Sequence, residues 1–306
     1  MNFSITILGT ASAIPTSKRN PPSQIVNIHS HYFLIDCGEG TQIQLRKNHI
    51  QLSKINHIFI SHLHADHVLG LFGLLSTYAL LGRTNDLNIY ADARLKELIQ
   101  YHQDFFNNDL SYKLIFHSLN NENGRIIFED NTIRIKAFTL KHSVPTHGFW
   151  FGEKKRLRKM NKEKIDFYQI PISKIKEIKE GADFITEEGK RIDNKSLTFD
   201  VPKERSYAYC SDTAYSENII PYIKNVNLLY HESTFCKEDT NRARATLHST
   251  SEQAASIAKQ AHVNQLLLGH FSTRYKTLDL MLEEARKIFP NTEVAKEKEI
   301  YRIEEE

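Results

Sequence analysis

The hydrophobic pattern changes period several times along the 306 residues, and each change marks an element. "FSITILGT" alternates apolar with polar and predicts a strand ending at Gly9. "ASAIPTSKRNPPS" is rich in Pro, Ser and Asn and reads as a loop. "QIVNIHSHYFLIDCGEG" predicts two short strands with a turn near His29–His31, and "TQIQLRKNHI" a helix. "INHIFISH" is a buried strand, and "VLGLFGLLSTYALLG" a strongly apolar helix. "LNIYAD" is a strand and "ARLKELIQYHQDFF" a helix. Further strands are expected at "YKLIFHSL", "GRIIFED", "IRIKAFTLKH" and "HGFWFGE".

From Lys154 to about Leu197 the pattern is lost. The segment is dense in charge, holds "KKRLRKMNKEK" and "KIKEIKEG", and is poor in large core side chains. Order then resumes with "RSYAYCSDT" as a strand, "YSENIIPYIKN" as a helix and "VNLLYHEST" as a strand. "TSEQAASIAKQAHV" is a helix, "QLLLGHFS" a strand and "LDLMLEEARKIF" a final helix. Strands run together early and alternate with helices late, which predicts an α/β protein with helices covering sheets. The pattern continues on both sides of the basic segment, so residues 153–198 read as an insertion in one domain spanning 1–306, not as a linker.

Composition narrows the class. No run of about 18 apolar residues predicts a membrane span. "MNFSITILGTASAIP" has the apolar content of a signal peptide but lacks a basic start, and its alternation predicts a strand. Three widely spaced cysteines, Cys37, Cys210 and Cys236, argue against a disulfide framework and suit a reducing cytoplasm. A formal charge of +3 implies no nucleic-acid partner by itself.

The candidate chemistry lies in "ISHLHADHVLGLFGL", which places His62, His64, Asp66 and His67 between the buried strand and the apolar helix. In a strand-to-loop turn, residues at i and i+2 point the same way, so His62 and His64 can share one ion. Asp66 and His67, past the turn, can face a neighbouring ion. Imidazole with carboxylate suits zinc, manganese or iron. The plainer alternative is a polar helix start with Asp66 as N-cap, but three imidazoles and a carboxylate inside six residues favour metal. More ligands are expected at other strand ends. His142, Asp212 and His270 each follow an apolar strand; His147 competes with His142 but lies further on.

"SHLHADHVLGL" resembles the signature of the metallo-β-lactamase superfamily, whose fold is a four-layer αββα sandwich around a dinuclear metal centre. With "GTASAIPTSKRNPPS", "DCGEGTQIQ", "SDT", "HESTF", "LHST" and "LLLGHFSTRY", nearly the whole chain resembles the short form of the ribonuclease Z family, tRNA 3′-processing endonucleases. That resemblance implies two zinc ions, with Mn2+ or Fe2+ as substitutes. His62, His64 and His142 would hold one, Asp66, His67 and His270 the other, and Asp212 would bridge them. Two metals about 3.5–4 Å apart can clamp a scissile phosphate for in-line attack. Asp66 would orient the attacking water or take its proton. His248 in "LHST" would protonate the leaving oxygen or stabilise the phosphate charge, with Glu232 in "HESTF" orienting it. His231 is expected to support the site.

The resemblance also implies a protruding exosite arm that grips tRNA. Lys154, Lys155, Arg156, Arg158, Lys159, Lys162 and Lys164 would supply its charge. Ser17, Lys18, Arg19 and Asn20 occupy the family's loop at the RNA 3′ end. Two departures stand out. The Gly-Pro element common in family arms is replaced by "YQIPISKIKEIKEG", and Ser17 stands where Lys is usual, with Lys18 one place later. The implied partners are precursor tRNA and a second copy of the chain in a homodimer. The competing expectations are hydrolysis of a small phosphodiester, thioester or lactam, and an inactive tRNA- or metal-binding protein.

Overall fold

The computed structural model describes residues 2–107, 109–120 and 123–305. In chain order the larger unit begins with β1 (Phe3–Gly9), β2 (Ser23–Ile28), β3 (His31–Ile35), α1 (Thr41–Lys47), β4 (Ile55–Phe59) and α2 (Ala65–Leu80). It continues with β5 (Leu87–Ala91), α3 (Arg94–Phe106), β6 (Leu114–Ser118), β7 (Arg125–Glu129), β8 (Ile133–Leu140) and β9 (Thr146–Glu153). The insertion carries β10 (Lys159–Met160), α4 (Lys162–Phe167), α5 (Ile172–Glu180), β11 (Phe184–Ile185), β12 (Arg191–Ile192), α6 (Asn194–Leu197) and β13 (Thr198–Phe199). The larger unit resumes with β14 (Ser206–Cys210), α7 (Ile220–Ile223), β15 (Leu228–Glu232), α8 (Thr240–Thr246), α9 (Ser251–Gln260), β16 (Gln265–Gly269), α10 (Asp279–Ile288), β17 (Thr292–Val294) and β18 (Ile300–Arg302).

Two seven-stranded sheets form, ordered β18-β1-β2-β3-β4-β5-β6 and β17-β16-β15-β14-β9-β8-β7. Strand alternation decides what lies between them. Phe33 and Ile35 of β3, Phe59 of β4, Tyr207 and Tyr209 of β14, and Leu228 and Tyr230 of β15 fill the space between the sheets. The intervening Leu34 and Ile58 face outward into a second core with Leu71, Leu74 and Leu75 of α2 and Leu95 of α3. Leu229, Leu266 and Leu268 face a third core with Ile257 of α9 and Met281 of α10. Three cores between four layers give the αββα sandwich.

Parallel pairing of β3-β4-β5-β6 and of β14-β15-β16-β17 sends the carboxyl ends of each run the same way. Loops at such ends are the usual place for a site in an α/β fold. α2 reaches its place through one close approach. A Cβ on Gly70 would lie 2.0 Å from the carbonyl oxygen of Gly38, so only glycine lets the first turns of α2 settle on the β3–α1 loop.

Three sequence expectations change. The helix expected over "YSENIIPYIKN" is a 3-10 turn, Glu217–Ile219, followed by the single turn α7. Pro221 has no N–H to continue a longer helix, and Asn225 turns left-handed at φ 58°. Asp66 is not the N-cap of α2; that position belongs to His64, at φ −70° and ψ 148°. The charged insertion, read as poor in large core side chains, still assembles a small core of its own.

The chain separates into two compact units, the second being Glu153–Glu204 with Glu305. The core of this second unit is Ile170, Ile178, Phe184, Ile192 and Leu197. Pro171 is the N-cap of α5, and Gly181, at φ 116°, is its C-cap. The insertion leaves after Gly152 and returns before Ser206, which are paired antiparallel neighbours in the second sheet.

His57 lies on the inner face of β4, between the rings of Phe33, Tyr90 and Phe128. Burial first, then His117 and His31, pull its pKa from 6.5 down to about 4. In that window the unfolded chain binds more protons than the folded one, so stability is lost as pH falls from about 6.5 towards 4. Thermal melts should show the wild-type Tm dropping across this range more than that of His57→Gln; equal slopes would remove His57 as the cause.

Candidate metal centre

The candidate ligands arrive from four loops and the first turn of one helix. His62 and His64 follow β4, Asp66 and His67 open α2, His142 follows β8, Asp212 follows β14 and His270 follows β16. His62, His64, His142 and Asp212 come within ligand reach of one another, as do Asp66, His67 and His270. His147, the sequence competitor of His142, lies inside β9 and donates its backbone N–H to Ser61 O at 2.9 Å. It joins neither group among the described residues.

The hydrogen bonds on the far side of each ring determine what its near side offers. His67 Nδ1 lies 2.8 Å from Asp36 Oδ2. His142 Nδ1 lies 2.9 Å from Leu247 O, His270 Nδ1 2.9 Å from Thr234 Oγ1, and His62 Nδ1 3.0 Å from Ser61 Oγ. Each Nδ1–H has an oxygen to donate to, which leaves Nε2 as the lone-pair atom. His64 is reversed and turns Nδ1 inward, 3.1 Å from His62 Nε2 and 3.3 Å from His142 Nε2. Lone pairs so close repel unless a cation lies among them. Ligands 2.0–2.1 Å from a tetrahedral zinc are separated by about 3.3 Å.

Asp212 faces both groups. Its Oδ2 is 3.5 Å from His62 Nε2 and 3.8 Å from His142 Nε2. Its Oδ1 is 3.5 Å from His67 Nε2 and 3.2 Å from His270 Nε2. Asp66 Oδ2 closes the second group, 3.4 Å from His67 Nε2 and 3.7 Å from His270 Nε2. His67 Nε2, His270 Nε2 and Asp212 Oδ1 are buried and have no hydrogen-bond partner among the described residues. Buried polar atoms are rarely left so, and a divalent cation would satisfy all three. The donor set therefore fits two hard or borderline divalent ions.

Charge is balanced within the cluster. Burial raises the pKa of Asp66, but His67 and His270 outweigh it and hold the carboxyl well below its usual range. Asp212 is likewise driven down against burial by His270, His67 and His62. Burial lowers His62, His64 and His142. His67 goes the other way: against burial, Asp36, Asp212 and Asp66 raise its pKa. A proton thus competes with a cation at His67.

Beside this cluster stands a second pair. His248 Nδ1 lies 2.8 Å from Glu232 Oε1, and its ring is 5.1 Å from that of His142 and 5.4 Å from that of His270. Glu232 is fully buried yet accepts from the backbone N–H groups of Thr213, Ser249 and Thr234 and from Thr234 Oγ1. Burial lowers the His248 pKa, but Glu232 outweighs it and lifts the group to about 9. His231 turns away; its Nδ1 donates to Glu232 O at 2.7 Å.

Asp36 was not anticipated from the sequence. It is fully buried at φ 53° and accepts from Ser61 N, Ser61 Oγ, His67 Nδ1 and Tyr209 Oη. Thr234, which joins His270 to Glu232, was missed as well. Ala13 N–H also reaches the cluster, donating to Asp66 Oδ2 at 3.0 Å. Of the loop residues, Ser17 and Lys18 are exposed. Arg19 donates to Tyr275 O at 3.2 Å and lies over the Phe271 ring.

In the inserted unit, Arg156 is bound by Glu153 and Glu305, and Arg158 by Asp200. Lys155, Lys159 and Lys162 are exposed, while Lys154 and Lys164 are half-buried.

Residues 31–271 match the family described as the beta-lactamase superfamily domain. The chain is 46% identical over 295 residues to a ribonuclease Z of Phocaeicola vulgatus, covering 96% of each. It is 45% identical over 295 residues to a ribonuclease Z of Bacteroides fragilis, covering 96% of this chain and 97% of that one. Among solved structures it resembles the short form of human tRNase Z in fold, with a TM-score of 0.71 at 24% identity, covering 97% of this chain and 98% of that one.

Two substitutions should separate ligand from support. Asp212→Ala removes the one carboxylate that faces both groups and should leave less than one metal per chain by elemental analysis. Asp36→Asn keeps all the candidate ligands and should weaken metal affinity by about 10–100-fold, the usual effect of losing an outer partner of a ligating histidine. Two metals retained in Asp212→Ala would refute its bridging position.

Proposed function

The chain belongs to the ribonuclease Z family of the beta-lactamase superfamily, and from that premise we propose that it removes the 3′ trailer from precursor tRNA. The cut would follow the discriminator base, leaving a 3′-hydroxyl on the tRNA and a 5′-phosphate on the trailer. The observation that carries this reading is the placing of Asp212 between two groups of imidazoles, with the His248–Glu232 pair alongside. We assign His62, His64 and His142 to one zinc and Asp66, His67 and His270 to the other, with Asp212 shared; manganese and iron suit the same donors. When bound, such ions supply positive charge to the scissile phosphate and lower the pKa of water.

The side chains account for the proton movements. Asp66, held ionised by His67 and His270 and steadied by Ala13 N–H, would orient the attacking water or take its proton. His248 has its Nδ1 engaged by Glu232, so its other nitrogen is free to protonate the 3′ oxygen as its bond to phosphorus breaks. Glu232 holds that ring and offsets its charge; burial raises its own pKa, but His248 and then His270 outweigh it and keep the carboxyl low.

The inserted unit, residues 153–198 with their short return, is proposed as the tRNA-gripping arm. Of the seven basic residues assigned to it, Lys155, Lys159 and Lys162 are the exposed ones, and Arg156 and Arg158 already face carboxylates. Lys154 and Lys164 complete the patch. Ser17, Lys18, Arg19 and Asn20 are assigned to the RNA 3′ end. A homodimer is supported by the outer face of α3, where Leu98, Tyr101, Phe105 and Phe106 are all exposed. Three buried free thiols fit a reducing cytoplasm, and among the described residues no helix is long and apolar enough to cross a membrane. The primary test is cleavage of a 3′-extended precursor tRNA with the cut mapped to the nucleotide. Hydrolysis of a small diester alone would favour the small-substrate reading.

His248→Ala should keep its metal and lose about 10²–10⁴-fold in kcat with little change in KM. Metal depletion in that variant would make His248 a ligand instead. Replacing 153–198 by a short linker should raise KM for precursor tRNA and flatten its salt dependence, while hydrolysis of bis-p-nitrophenyl phosphate continues. A folded, metal-replete deletion with the wild-type KM would sink the arm assignment.

A further inference from the structure

The loop from Thr10 to Asn20 is tied down at both ends by a single carboxylate from the far end of the chain. Glu297 Oε1 accepts from Thr10 N at 3.2 Å, Thr10 Oγ1 at 3.2 Å and Asn20 N at 2.7 Å. Its Oε2 accepts from Asn20 Nδ2 at 2.5 Å. The other face of Asn20 is held by Gln44, whose Nε2 donates to Asn20 Oδ1 at 3.1 Å. Charge-assisted hydrogen bonds are the strong ones, and one acceptor gathering four donors fixes a loop more firmly than scattered contacts.

The two limbs of the loop are held differently. The near limb is sewn to the metal cluster by backbone: Phe271 N–H donates to Thr10 O, and Ser12 N–H to Phe271 O. The far limb has a local turn around Thr16 and the Arg19–Tyr275 contact; at Asn20 its carbonyl accepts from the backbone N–H groups of Thr10 and Ala11, while its own N–H and side-chain amide donate to Glu297. Glu297 also lines a cleft of about 430 Å³ whose remaining charged walls are Lys18, Arg19, Lys47, Lys296 and Lys298. Among the lining residues Glu297 is the one carboxylate; it is turned onto Thr10 and Asn20, and five cations outnumber it. The cleft is left net positive towards a phosphate.

We propose that Glu297 is a positioning residue: it pins the far limb so that the cationic cleft presents a fixed register to the 3′ end of an RNA strand whose phosphate reacts at the metal cluster. Glu297 touches none of the candidate ligands. Its effect on cleavage is through Asn20 and the residues before it. The inference rests on the ribonuclease reading of the site, but the pin itself can be measured without any substrate.

The experiment uses the full chain and the variants Glu297→Ala, Glu297→Gln and Glu297→Asp, each checked for metal content and melting. Limited trypsinolysis reads the pin directly, because Lys18 and Arg19 are cleavage sites within the far limb. Cutting there should accelerate on the order of 10-fold or more in Glu297→Ala and in Glu297→Gln, whose amide opposes the Asn20 donors, with partial recovery in Glu297→Asp. On precursor tRNA, Glu297→Ala should lower kcat/KM about 10-fold or more and spread the cut over neighbouring nucleotides, while bis-p-nitrophenyl phosphate turnover stays within about threefold. Unchanged trypsinolysis would overturn the pin. Faster trypsinolysis with an unaltered rate and cut position on precursor tRNA would overturn its role in register. Wild-type protein that cleaves the small diester but no precursor tRNA would instead refute the ribonuclease reading, and the RNA part of this proposal with it.

Discussion

The candidate metal centre depends on a carboxylate that stands behind it and belongs to neither group of candidate ligands. Asp36 sits fully buried at the end of β3 and gathers donors from Ser61, His67 and Tyr209. These belong to the loop after β4, the first turn of α2, and β14 of the opposite sheet. A buried carboxylate without partners would be strongly destabilising, so the two sheets are obliged to meet at this point in one register. The same bond fixes the tautomer of His67 and therefore which nitrogen faces inward. Fold and chemistry are joined in that one group.

Around it, the protein solves an electrostatic problem in two compartments. Asp66 and Asp212 are kept ionised by the imidazoles they face, and those imidazoles are in turn oriented by oxygens behind them. Glu232 repeats the arrangement beside the candidate ligands, facing His248 and accepting from three backbone N–H groups. Thr234 connects the compartments, since its hydroxyl lies between Glu232 and His270. Two backbone positions at this edge are unusual: His270 has φ 58° and Leu247, whose carbonyl receives His142, has φ 55°. Left-handed non-glycine residues cost energy and persist where surroundings over-determine them, which is the case here.

Much of this was legible in the sequence because the signals were local. The period-two strands and the apolar α2 pattern gave the sheets and helix, and a polar ligand type directly after an apolar strand gave His142, Asp212 and His270. Asp36 obeys the same rule, following "HYFLI", yet a lone Asp before Cys-Gly-Glu-Gly also reads as an ordinary turn residue. Its meaning came from Ser61 and Tyr209, which are far away in sequence. The small core of the insertion was illegible for a related reason. Ile170, Ile178, Phe184, Ile192 and Leu197 are single apolar residues spread over short elements, too sparse to set a period. Edge strands β17 and β18 are three residues each and gave no pattern to read.

The way the insertion is stitched has a consequence for how the chain acquires its fold. β9 and β14 are neighbours in the sheet but are separated by the entire insertion. Closing so long a loop is entropically slow. Within the insertion, however, β10 pairs with β13, and Arg158 bridges to Asp200 just beyond it. Once that base is zipped, the effective loop between β9 and β14 shrinks roughly fourfold, which recovers about 1 kcal/mol of closure entropy. A segment that ties its own ends together in this way is a cassette: the sheet registers the two ends and is indifferent to what lies between them. Lengthening, trimming or exchanging the interior changes what is carried, while the nucleation of the sandwich is left alone.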